Sequence, residues 1–303
     1  MQNTEASGER GNLTLVLAGS GKTGRRVADR LKARGIPARV GSRSGEPPFD
    51  WADPTTWTHA LTNVRSVYLA YAPDLAVPTA PGAIRTFAEL AVRSGVRRLV
   101  LLSGRGEEEA QRCEQLVQDS GAEWTIVRSS WFCQNFSEGI FRELILGGEV
   151  ALPAGYVAEP FIDADDLADV AVAALTEDGH AGQVYELTGP RLLSFPEAVG
   201  EIAEISGREV RYVEVSHEAF VSELTKNGVP AAYVDLLQYL FTTVLDGRNA
   251  HVTQGVQRAL GRSPKDFSEY ARDAATTGVW DAAGNHAAGA QQEKQGQSTF
   301  SLQ

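Results

Sequence analysis

The chain has 303 residues, with 28 Lys and Arg against 39 Asp and Glu, for a formal charge of −11. With 43% hydrophobic and 22% charged residues it has the composition of an ordinary globular protein, and folding at this length buries roughly 75% of the unfolded chain's surface, enough for one large or two coupled domains. An acidic chain without a Lys/Arg-rich block is a poor match to polyanionic nucleic acid. Its 2 cysteines, Cys113 and Cys133, and 5 scattered histidines give neither a disulfide framework nor metal-ligand spacing. No metal, no membrane span and no secretory leader are expected, and the cysteine usage fits a cytoplasmic setting.

From the N-terminus, Leu13 to Leu17 is a continuous apolar run, as a strand buried on both faces requires, and Val27, Ala28 and Leu31 follow at helical spacing. Further strands are expected at 38–40, 66–70, 99–102, 124–127 and 184–187. Between them Ile84, Phe87, Ala88 and Ala91 share a helix face, as do Leu167, Val170, Ala171 and Ala174. Such alternation predicts a parallel sheet with helices on both faces. Beyond Gly189 a helix at 195–205, a short strand at 210–215 and helices up to Trp280 predict a smaller, α-rich lobe.

Directly after the first strand stand Gly19, Ser20, Gly21, Lys22, Thr23 and Gly24, a G-x-G-x-x-G series opening onto a helix. The glycines allow a tight turn and let backbone amides and the positive end of the helix dipole meet a pyrophosphate. A P-loop is excluded, because it needs four residues between its glycines and a Ser/Thr after the lysine at the far end. With this motif the fold class is α/β: a Rossmann-type doubly wound parallel sheet with a mostly α-helical C-terminal substrate lobe. Residues 12–135 and 162–190 are assigned to the NAD(P)-binding domain, 136–161 and 191–282 to the substrate lobe, and 1–11 and 283–303 are expected to be disordered tails. The second strand ends in Gly41-Ser42-Arg43-Ser44, and Arg43 lies 19 residues past Gly24. A guanidinium flanked by hydroxyls suits the 2′-phosphate of NADP(H), with Glu46 on the ribose of NADH as the alternative. The expected cofactor contacts are Gly19, Ser20, Gly21, Lys22, Thr23, Gly24, Ser42, Arg43, Ser44, Asp50 and Ala70.

Familiar reductases on this fold use a Tyr as general acid with a Lys four residues later. Here the residues four past each tyrosine are Ala72, Leu75, Pro160, Gly189, Ser216, Leu237, Thr243 and Ala274. The usual acid is missing. Either another group protonates, or the acceptor needs no proton as hydride arrives, or no hydride moves.

Gly21-Lys22-Thr23-Gly24, Ser42-Arg43-Ser44, Leu101-Leu102-Ser103 and Trp124-Thr125-Ile126-Val127-Arg128 resemble the NmrA-like atypical short-chain dehydrogenases. Phe49-Asp50-Trp51, the block Trp131 to Glu138, Pro160-Phe161-Ile162, Asp166-Leu167-Ala168 and Leu187-Thr188-Gly189-Pro190 are similar to the festuclavine synthase and agroclavine dehydrogenase family of ergot alkaloid biosynthesis. The likeness runs from about Leu13 to Tyr270. It implies NADPH-dependent reduction of a cyclic iminium ion, whose carbon takes hydride to give a neutral amine with no proton delivered. Departures from that pattern are Ala18-Gly19 for a glycine at 18, and Cys133 and Gln134 where the family has Met or Glu.

Trp131, Phe132 and Phe136 follow the strand at 124–127, at the carboxyl edge where α/β sheets bind ligands. They either wall a nicotinamide and flat substrate or are plain core. Asn135 is expected to orient a carboxamide. Tyr71 is read as a proton donor or a surface residue, and Ser103 as a ligand contact or a satisfied strand-end serine. The candidate catalytic set is therefore Tyr71, Ser103, Trp131 and Asn135, with Phe132 and Phe136 for substrate. Glu107, Glu108 and Glu109 read as a dipole-compensating helix start, one of Asp163, Asp165 and Asp166 as a helix cap, and the histidines as without a role. The expectation is a monomeric or homodimeric NADPH-dependent reductase acting on a small molecule with an activated C=N or a conjugated C=C or quinone. A redox-sensing regulator without turnover and a non-redox cyclase or isomerase are the alternatives.

Overall fold

The computed structural model describes residues 12–281; the expected tails lie outside the described residues. In chain order the elements are β1 (Leu13–Leu17), α1 (Lys22–Ala33), β2 (Ala38–Gly41), α2 (Trp57–Ala60), β3 (Val64–Leu69), α3 (Ala80–Arg93), β4 (Arg98–Gly104), α4 (Glu108–Gln118), β5 (Glu123–Ser129) and α5 (Ile140–Leu146). They continue as β6 (Glu149–Leu152), β7 (Ala158–Glu159), α6 (Ala164–Thr176), β8 (Gln183–Leu187), β9 (Leu193–Ser194), α7 (Phe195–Ser206), β10 (Arg211–Glu214), α8 (His217–Lys226), α9 (Ala231–Tyr239), α10 (Gly255–Leu260) and α11 (Phe267–Thr276).

The main sheet has 6 strands in the order β2-β1-β3-β4-β5-β8, all paired in parallel. Because side chains alternate across a strand, Leu15 and Leu17 enter one apolar layer with Leu69, Leu99, Leu101, Phe87 and Val117, whereas Val16 enters the opposite layer with Val100, Val127, Leu31 and Leu167. Helices α3 and α4 cover the first face, and α1, α6 and α10 the second. Arg30 on α1 fastens α6 through Asp165 (2.8 Å) and Asp169 (2.5 Å). The strand order reverses at β1: β2 lies on one side and β3 on the other, which places the ligand crevice outside the carboxyl ends of β1 and β3.

A second apolar core forms the smaller lobe, where α5, α7, α8, α9 and α11 surround Phe136, Phe141, Phe161, Phe195, Phe241 and Phe267. Two features of the lobe depart from the sequence expectation. The strand expected at 210–215 forms as β10, but its parallel partner β6 and the antiparallel pair β7–β9, strands of four and two residues, arise from pairing between segments far apart in sequence. Helix α10, expected in the lobe, returns to the main sheet. Val256 is buried with Val16 and Leu167, and a Cβ on Gly255 would lie 2.0 Å from the Glu186 carbonyl oxygen. The lobe is tied to the main domain by Arg26 and Glu138 (2.6 Å), and within the lobe Trp280 Nε1 donates to the Phe136 carbonyl (2.8 Å). No helix among the described residues is long and apolar enough to cross a membrane.

Phe136 is fully buried among Phe141, Phe161, Phe195 and Phe267, with ring centroids 5.4 to 6.0 Å apart. Phe136→Ala is expected to cost about 3–5 kcal/mol of folding free energy in denaturant titrations of the ligand-free protein.

Candidate active site

The turn between β1 and α1 has no room for side chains. A Cβ on Gly24 would sit 2.2 Å from the Ala18 carbonyl oxygen, and one on Gly19 would sit 2.4 Å from Val40 Cγ1. Ala18 adopts φ +50°, a left-handed conformation unfavourable for a residue with a Cβ, and its carbonyl accepts from the Gly21 amide at 2.8 Å. The backbone therefore reverses at Ala18, one residue before the first glycine of the motif. Gly21 is the N-cap of α1 and offers no capping side chain, and no acidic residue stands in the first turn. Backbone amides and the positive helix end are left for an anion. Lys22 and Thr23 are buried there. Burial lowers the Lys22 ammonium to about 8, with Glu138 opposing and Arg25 and Arg26 adding to the shift.

Ser42 and Arg43 follow β2 at the same edge. The Ser42 carbonyl accepts from the amides of Gly45 and Phe49, closing the loop, while Arg43 is exposed and forms no hydrogen bond or ion pair to the described residues. Asp50 is engaged in its own turn: its Oδ1 accepts from the Ala52 amide, and its carbonyl accepts from Trp57 Nε1. Ala70, buried just past β3, accepts from Trp51 Nε1 at 3.2 Å. Ser42 and Arg43 thus follow β2 and Ala70 follows β3, at the carboxyl edge on either side of β1, where the strand order reverses. An uncapped helix start, a turn that excludes side chains and a free guanidinium fit a phosphorylated dinucleotide.

A family description, NAD(P)H-binding, matches residues 18–178. The chain belongs to this family. It is 33% identical to the oxidoreductase YesF of Bacillus subtilis over 281 residues, covering 89% of this chain and 96% of that protein. It is 30% identical to agroclavine dehydrogenase of Claviceps fusiformis over 287 residues, 88% of this chain and 98% of the relative. The fold matches the NADPH complex of an NADPH-dependent quinone oxidoreductase from Escherichia coli with a TM-score of 0.72 at 21% identity, covering 86% of this chain and 99% of that one. The protein is thus an NAD(P)H-dependent oxidoreductase.

Past the cofactor crevice the residues expected to act on substrate separate. Phe132 and Phe136 are buried in the two cores, so of the two readings open for them plain core is the one realised. Asn135, 1% exposed, stands between them in the 3-10 turn Cys133–Phe136. Beside it Gln134 clasps the start of α6, donating to Asp163 at 2.8 Å and accepting from the Ala164 amide at 2.8 Å, a double role that a carboxylate cannot fill. Asp163 caps α6 through the Asp165 amide. Tyr71 leans on Trp51 with centroids 4.9 Å apart and meets Thr79 Oγ1 at 3.4 Å, at the edge of an aromatic layer. Ser103 is fully buried and donates to Glu114 at 2.6 Å, and Glu114 is also bound by Arg128. Its hydroxyl is committed to a buried carboxylate rather than presented to a ligand. Two histidines do have partners: His180 Nδ1 meets the Tyr185 hydroxyl at 2.8 Å, and His251 Nε2 meets Arg105 at 2.9 Å.

Trp131 joins the lobe through Phe195 and Phe241 and walls a cavity of about 20 Å3 at the carboxyl ends of β4 and β5. Arg105, Glu107, Ser130, Glu159 and the π-helical turn Leu240–Val244 form its other sides. None of the acids here was picked out by sequence reasoning. Glu107 was grouped with its solvated neighbours, yet it is 2% exposed and interacts with the buried Asp74. Glu159 stands on a two-residue strand with no periodic signal. A second, larger cavity of about 780 Å3 lies within the lobe, lined mainly by apolar residues such as Leu144, Phe220 and Leu224. Ser103→Ala is expected to lower stability by about 1–3 kcal/mol, because Glu114 loses a buried donor, while isothermal titration shows NADPH affinity unchanged.

Proposed function

We propose that the protein reduces a small molecule at an activated C=N bond, or at a conjugated C=C or quinone, with NADPH as the donor and without a Tyr-Lys acid pair. The observation that carries this reading is the composition of the carboxyl edge. It joins an anion-ready turn and a free Arg43 to a cavity of Trp131, Arg105 and carboxyl groups, and no tyrosine in the chain has a lysine four residues on. The bound reduced nicotinamide supplies a hydride. The chain's residues bind and orient: amides at Gly21 to Gly24 meet the pyrophosphate, Arg43 with Ser42 and Ser44 meets the 2′-phosphate, and Asn135 orients the carboxamide. An iminium acceptor becomes a neutral amine with no enzymic proton, which suits the missing pair, and the agroclavine dehydrogenase likeness supports that substrate class. Orientation of donor and acceptor then carries much of the rate.

The test is consumption of NADPH absorbance against a panel of cyclic iminium ions, enones and quinones. Turnover on any of these classes is the expected result, and dinucleotide binding with no turnover across the panel returns the regulator reading. Arg43→Ala is expected to weaken NADPH binding about tenfold or more, the worth of one charge-assisted contact, and to leave NADH binding nearly unchanged. Equal loss for both nucleotides would reject Arg43 as the 2′-phosphate ligand.

A further inference from the structure

We propose that Glu159, acting through Ser130, is the proton source for acceptors whose reduction leaves charge on a heteroatom. This inference rests on the reductase reading above and extends it to the half of the reaction that hydride transfer leaves open.

The geometry comes first. A dinucleotide that places its adenosine at β2 and its pyrophosphate at α1 carries its other half across β1, over the carboxyl ends of β3, β4 and β5. The small cavity beside Trp131 opens at that edge, where Arg105 and Glu107 follow β4 and Ser130 follows β5. At about 20 Å3 it holds one water-sized group. That is room for a carbonyl oxygen or an imine nitrogen but not for a ring. The acceptor's heteroatom enters it while the ring stays outside against the Trp131 side.

Inside, the proton path is short. Ser130 Oγ lies 3.3 Å from Glu159 Oε2, and Arg105 Nη1 donates to the same Oγ at 3.3 Å. Glu159 Oε1 is buried and has no hydrogen-bond partner among the described residues. A buried carboxyl oxygen without a donor favours the neutral acid, since the charged form would lack compensation. Burial pushes Glu159 up to about 7, with Arg105 and the Ser130 hydroxyl opposing and Asp246 adding to the rise. The charged groups around it are few and mostly matched. Arg105 is held by Glu186 at 2.7 Å and by His251, Asp246 is paired with Arg248, and Glu107 lines the same cavity with Asp74 behind it. In the acid form Glu159 donates to Ser130 Oγ and frees the Ser130 O–H to point into the cavity.

The balance is as follows. A quinone or enone gains two electrons with hydride from the reduced nicotinamide, and its oxygen takes the proton of Ser130. Ser130 regains one from Glu159, which is left as a carboxylate facing Arg105 and is reprotonated from solvent after product release. An iminium ion draws no proton from this path.

The experiment compares the wild-type protein with Glu159→Gln and Ser130→Ala. In the cofactor-free protein, difference infrared spectroscopy should find a carboxyl band titrating near pH 7 that persists in Ser130→Ala and is lost in Glu159→Gln. With NADPH, the ratio of quinone to iminium turnover should fall on the order of a hundredfold in both variants, as loss of a general acid predicts. The wild-type quinone rate should also decline as pH rises through 7, and this limb should vanish in Glu159→Gln. An unchanged ratio in both variants, or the absence of the titrating band from the wild type, overturns the proton-source role while iminium or quinone turnover by the wild type leaves the reductase reading standing. Failure of the wild type on every acceptor overturns the reductase reading itself, and the donor role with it.

Discussion

The arrangement depends on one close approach. The backbone at Gly24, where α1 begins, passes so near the carbonyl of Ala18 that a methyl group cannot be placed between them. That contact fixes the angle at which α1 leaves β1 and leaves its first amides facing the crevice, with no side chain to satisfy them. It also makes the turn intolerant of side chains and keeps it open to a flat, charged ligand. The left-handed Ala18 is the local strain accepted for it. Everything downstream, from the packing of α1 on α6 to the position of Arg43 at the neighbouring strand end, follows from where this helix points.

The lobe is held to that helix by charge, and is itself held together mainly by apolar packing. Glu138 receives both Arg25 and Arg26 from the first turns of α1, and these guanidiniums hold its carboxyl below the usual range even though burial opposes them. Further along, Arg191 bridges Glu201 on α7 and Asp266 at the start of α11. These partly exposed pairs position segments more than they stabilise them. The burial of Phe136, Phe195 and Phe267 is the larger contribution.

Much of the main domain was legible in the sequence because its signals are local. A continuous apolar strand, a glycine series and a helical stripe sit within a few residues of one another, and each element agrees with the next. The strand at Leu13 to Leu17 and the helix containing Val27 and Leu31 emerge where the pattern puts them. The lobe was less legible. Its strands β7 and β9 are two residues each and exist only because distant segments meet, and α10 reads as one more lobe helix until its glycine is seen against β8. The candidate site residues divide in the same way. Motif glycines and Arg43 could be read from spacing, whereas Glu159 gives no pattern, and burial alone distinguishes Glu107 from Glu108. Ser103 shows the converse: a hydroxyl at the carboxyl edge looks like a ligand contact until its carboxylate partner, eleven residues on, is placed.

Arg105 has one more consequence, for the order in which the molecule is made. Its single guanidinium binds Ser130, Glu186, the Asn249 carbonyl and His251. The central sheet is complete in sequence by Leu187, yet the wall beside Trp131 waits for a strap synthesised some sixty residues later. On the ribosome the nucleotide-binding body therefore emerges and can begin to fold well before the cavity beside Trp131 exists, and that cavity closes only when the last tenth or so of the described chain is near.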